Sequence, residues 1–65
     1  MSKMFLELSQ GQVAIDVVRD GVRRIINLPD EVSINAIWDC EDAYDCKIER
    51  YAGGRQIAVT FYKES

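Results

Sequence analysis

The sequence predicts an α+β domain: a five-stranded antiparallel sheet in the order β-β-β-α-β-β, with one helix packed on one face. Three observations carry this. Turn signals at Gln10-Gly11, Asp20-Gly21 and Gly53-Gly54 separate stretches in which apolar and polar residues alternate. Residues 29–45 instead repeat their apolar side chains at helical spacing. A chain of 65 residues with ordinary globular composition, 48% hydrophobic and 29% charged, fits one domain, residues 1–65.

The elements follow in order. With Gln10-Gly11 as a two-residue loop, Leu8 faces Val13, Leu6 faces Ile15 and Met4 faces Val17. With Asp20-Gly21 as the next loop, Val17 faces Arg24, Ile15 faces Ile26 and Val13 faces Leu28. Both registers put the same apolar set on one face, and a slip by one residue would turn it to water. Pro29-Asp30 ends the third strand. The helix then starts near Ser33, with Ile34, Ile37, Cys40 and Tyr44 on an inward stripe and Ala36 and Ala43 beside it. Ser33 or Asp30 serves as N-cap. An alternating strand over Val32, Ile34, Ala36 and Trp38 competes with this reading. The helix is preferred because a five-stranded sheet needs something to cover its inner face. In the last hairpin Ile48 faces Val59, Cys46 faces Phe61 and Arg50 faces Ile57.

Size and composition narrow the function classes. Burial of apolar surface yields roughly 98 kcal/mol, and ordering the chain costs about as much. A dimer or partner is therefore an attractive source of further burial. Histidine is absent, which removes the commonest general base and metal ligand together. The reading is non-enzymatic, with no cofactor, no metal and no small-molecule substrate. No apolar run approaches a membrane span, and Ser2-Lys3-Met4 does not start a signal peptide, so the cytoplasm is the expected compartment. Net charge is −3, but residues 30–45 alone carry −6 and no Lys or Arg.

The densest chemistry lies in residues 38–46, with the only tryptophan, both cysteines and four carboxylates. Cys40 and Cys46 match neither the Cys-x-x-Cys spacing nor a zinc knuckle, so buried packing is favoured over a redox pair or a metal site shared between two copies. Asp39, Glu41, Asp42 and Asp45 lack the glycine of a calcium loop. They read as a solvated helix face or, edged by Trp38, as a recognition surface for a basic partner. Arg19, Arg23 and Arg24 flank one turn, and Arg50 and Arg55 the other. If both hairpins point one way they make a small basic patch, but a sequence pI near 4.7 argues against nucleic acid. The outward sheet face is expected to show Phe5, Ala14, Val18, Ile25, Tyr51, Ala58 and Tyr62, an association surface for a protein partner or a second copy. Two functions follow: a protein-interaction module, homodimeric or a small subunit of a complex, and an acidic inhibitor that mimics nucleic acid and occupies a basic cleft.

Overall fold

The computed structural model describes residues 2–64, apart from the side chain of Ala52. The elements are β1 (Lys3–Leu8), β2 (Gly11–Asp16), β3 (Arg24–Asn27), α1 (Ile34–Tyr44), β4 (Cys46–Tyr51) and β5 (Gln56–Phe61), with a single 3-10 turn at Ala52–Gly54. The class is α+β. The strands, however, divide into two antiparallel sheets, β1-β2 and β3-β5-β4, rather than one sheet of five.

The division follows from β5. Ile57, Ala58 and Val59 are three consecutive buried residues, so both faces of this strand are covered. Such a run belongs in the middle of a sheet. β5 pairs with β4 on one side, and β3 takes the other side with Ile26 opposite Ile57. The expected β2–β3 hairpin is therefore not formed. Asp20 instead turns its side chain back on its own segment, accepting from the Val22 N–H and from the Arg24 guanidinium. The Gly21 N–H then docks on the carbonyl of Phe61 at 2.9 Å, carrying the chain to β5.

The two remaining hairpins hold, with one correction. β4 and β5 pair as expected, Cys46 opposite Phe61 and Ile48 opposite Val59, around a loop longer than two residues. In the first hairpin the register is moved by two: Met4 faces Ile15, Leu6 faces Val13 and Leu8 faces Gly11. The loop is Ser9-Gln10, and neither residue takes a positive φ. That requirement passes to Gly11, at φ 146°, so the glycine follows the turn instead of sitting in it. A shift of two preserves the faces, so Met4, Leu6 and Ile15 still point inward.

One core joins all layers. Met4, Leu6 and Ile15 from the hairpin meet Ile37 and Cys40 from α1, and Cys46, Ile48, Ile57, Val59 and Phe61 from the larger sheet. The hairpin as well as the helix thus covers the sheet. α1 lies along β1 and β4. Ser33 caps it, its hydroxyl accepting from the Ala36 N–H at 3.1 Å. Asp45 ends it in the left-handed conformation, φ 52°. No basic residue stands in its last turn; Arg19 supplies the charge from elsewhere, donating to the carbonyls of Tyr44 and Asp45. The inward stripe is Ile37 and Cys40, with Tyr44 half-buried. Ile34, expected inside, is 42% exposed, because Val32 ahead of the cap fills the buried place. Val32 is fixed from both sides: its N–H donates to the Gly54 carbonyl and its carbonyl accepts from Arg50. Gly54 has φ 89°, and a Cβ there would stand 3.2 Å from the Val32 oxygen.

Candidate protein-binding surface

The helix sorts its side chains by angle, about 100° per residue. One flank faces β1, and a groove of about 410 Å³ there is lined by Phe5, Ala36, Asp39, Cys40 and Ala43 among others. The other flank carries Ile34 and Trp38, one turn apart and therefore adjacent. Trp38 is 59% exposed, the most exposed of the large hydrophobic residues. Asp42 and Asp45 continue this flank toward the C-terminal end, and Asp39 lies on the outer crest.

The carboxylates divide into two groups. Glu41 belongs to the architecture: its Oε2 accepts from the Ile48 N–H at 2.8 Å, on the side of β4 that has no strand neighbour. Asp39, Asp42 and Asp45 are exposed, and none makes an ion pair among the described residues. Several acids elsewhere are engaged. Asp16 is held below its usual range by hydrogen bonding and charge from Lys3. Asp20 is pulled to about 2, first by the Arg24 hydrogen bonds and then by the Val22 N–H. Glu49 is lowered by Arg23 and then by the Tyr51 hydroxyl.

The outer sheet surface is not the single patch expected. Phe5 and Ala14 belong to the β1-β2 sheet, Val18 to the connection after it, and only Ile25, Tyr51, Ala58 and Tyr62 to the larger sheet or its continuation. Ala58 is 0% exposed, because it lies on the central strand between Ile25 and Glu49. Tyr51 is half-buried in a cluster with Arg23 and Glu49, and the Arg23 guanidinium lies over its ring at 5.4 Å. Ile25 and Tyr62 remain as separate exposed side chains.

The arginines form no open basic patch. Arg19 holds the helix end, Arg23 the Glu49–Tyr51 cluster, Arg24 Asp20, Arg50 the Val32 carbonyl and Arg55 the Pro29 carbonyl. The two thiols are buried and unbonded to each other. Cys46 Sγ lies 3.9 Å from Met4 Sδ, and Cys40 Sγ donates weakly to the Phe5 carbonyl. Burial raises both; Cys46 is pushed up to about 11, with the charges of Cys40 and Glu41 adding to burial. Thiols so placed stay protonated at neutral pH and are poor nucleophiles and ligands. Among the described residues no three Cys, Asp or Glu side chains converge as a metal site requires, and no helix is long and apolar enough to cross a membrane.

Sequence reasoning missed Ile34 and Val22 as exposed apolar residues. Ile34 follows the cap directly and is the first helical residue, where a helix has only begun to settle on its core. Val22 follows Gly21, at φ 70°, in the segment between β2 and β3, where no strand pattern assigns it a face. No protein-family model, curated protein or solved structure matches this chain. Its class rests on its own fold and surface: a small α+β domain whose exposed helix flank is apolar and acidic.

Proposed function

We propose that this chain is a non-enzymatic protein-binding module, a subunit of an assembly, that contacts its partner through the outer flank of α1. Trp38 with Ile34 is the apolar anchor, and Asp39, Asp42 and Asp45 form the rim. One observation carries the reading: the only tryptophan stands largely in water on a helix capped at both ends. Magnitudes favour the anchor over the rim. Covering roughly 120 Å² of Trp38 and Ile34 is worth about 3 kcal/mol at ~25 cal/mol/Å². A single exposed ion pair is worth ~0.2–1 kcal/mol. The test is capture of the partner from the native cell, followed by calorimetry with Trp38→Ala. Affinity should fall by about 2 kcal/mol, some thirtyfold, with circular dichroism unchanged. An affinity within twofold of the parent would place the contact elsewhere.

The second reading, an acidic inhibitor in a basic cleft, is favoured by Asp39, Asp42 and Asp45 standing exposed without an ion pair, whereas Asp16, Asp20, Glu49 and Glu64 each have one. Binding would then weaken steeply with salt and be lost in D39K/D42K while W38A retains it.

A further inference from the structure

We propose that this chain pairs with a second copy of itself through the outer edge of β3, joining two three-stranded sheets into one of six strands. The proposal does not use the α1 flank. It rests on which strand edges are occupied and on the phase of their hydrogen bonds.

In an antiparallel ladder, successive residues point their N–H and C=O groups alternately to the partner and away. The Leu28 N–H donates to the Arg55 carbonyl at 2.8 Å, which fixes the phase of the β3–β5 pairing. Arg24 and Ile26 therefore bond to β5, and Ile25 and Asn27 turn their backbone groups outward. At the opposite edge of the same sheet the outward Ile48 N–H is taken by Glu41. The outer edge of β1 lies against α1, and the Phe5 carbonyl receives the Cys40 thiol. Among the described residues two edges are left open, β2 and β3. The outward residues of β2 are Gln12, Ala14 and Asp16, polar or small, with Asp16 bound to Lys3. β3 is different. Ile25 is 49% exposed on one face, Ile26 is partly buried on the other, and Val22 just before the strand is 48% exposed. It carries neither a proline nor an unpaired lysine, the devices that guard edges.

The occupant that fits is another β3. A twofold axis at Ile26 places Ile25 against the second copy's Asn27, so both outward residues of each strand find partners in the right phase. The same axis sets Ile26 against Ile26 and Arg24 against Leu28, so no like charges meet. The edge offers no charge to a charged peptide, because Arg24 is bound by Asp20 and Arg23 by Glu49. A strand of matching length and apolar content, whose one charge is already paired, is what β3 itself supplies.

The experiment is sedimentation equilibrium of the full chain over a wide concentration range, with amide hydrogen exchange on the same samples. The parent should be a dimer, with the Ile25 and Asn27 amides protected. Asn27→Pro removes an outward N–H and leaves the β3–β5 backbone bonds intact, giving up only the exposed Gln56–Asn27 side-chain bond, so it should sediment as a monomer with parental circular dichroism. Should N27P fail to fold, Ile25→Lys carries the test. It adds a charge on the exposed face and should raise the dissociation constant roughly tenfold or more. W38A should remain a dimer. A parent that is monomeric throughout, a dimer that survives I25K, or rapid exchange of the Ile25 amide within a dimer would each overturn the proposal. Loss of the dimer in W38A would assign self-association to α1 instead.

Discussion

The two sides of the larger sheet are built differently from similar material. At the β4 side, an outward backbone group is taken by a helix side chain, Glu41 accepting from the Ile48 N–H, and the Arg50 side chain ties the strand to the Val32 carbonyl ahead of α1. At the β3 side, the strand pairs with β5 over four residues, and among the described residues no hydrogen bond reaches the outward backbone groups of Ile25 and Asn27. Both edges depend on β5. A small domain can therefore seal one edge with a single helix and leave the other available, and the difference lies in a few polar contacts rather than in the core.

The comparison can be broken most forcefully at its centre. Ile57 is fully buried, pairs with Ile26 and Arg50, and supports both edges. Ile57→Ala should cost about 3 kcal/mol in urea unfolding, from lost burial and the cavity left behind. Against a typical stability of ~5–15 kcal/mol, that should leave a visible unfolded fraction in a small domain.

A smaller effect separates the edges. Glu41→Ala strips the acceptor from the Ile48 N–H and should cost about 1–2 kcal/mol. Exchange of the Ile48 amide should accelerate while the Ile57 amide stays slow. Glu41→Gln keeps an acceptor and should recover much of the loss. If E41A matched the parent in both readouts, the β4 edge would be sealed by packing alone.

The mildest probe is pH, and its two limbs report on opposite sides. Asp20, on the approach to β3, is held at about 2 in the fold against 3.8. Its contribution is present above pH 3.8 and is lost as pH falls toward 2, because the unfolded chain then binds the extra proton. Cys46, at the start of β4, is raised to about 11 against 9.0. Its contribution is complete below pH 9 and is lost as pH rises toward 11, because the unfolded thiol ionises first. Cys46→Ala should flatten the alkaline limb of urea midpoints and leave the acid limb alone.

What the sequence made legible follows distance along the chain. The β4–β5 register and the Ser33 cap were readable because their partners are close and their signals local. The β1–β2 faces were readable too, although the register was not. Alternation fixes a face, whereas the loop position depended on whether Gly11 sits in the turn or after it. The placement of β3 was not readable from its own residues, since an Asp-Gly turn signals a hairpin and Asp20 spends its carboxylate on Arg24. The signal lay instead in Ile57, Ala58 and Val59, whose lack of alternation asks for neighbours on both sides. For the surface, Trp38, Asp39, Asp42 and Asp45 were legible as a wet face. Glu41 was not, because its hydrogen bond to Ile48 depends on how α1 lies against β4.

β5 is the last strand in sequence and the middle one in space. The sheet therefore cannot be assembled in the order in which it is synthesised. β3 emerges early and has no partner until residues 56–59 arrive, after the residues of the first hairpin and the helix. Closing that long loop is a non-local step, of the kind whose entropy cost slows folding. Until it closes, the same strand edge stands bare on every growing chain, which makes the interval before β5 docks the time of greatest risk of aggregation.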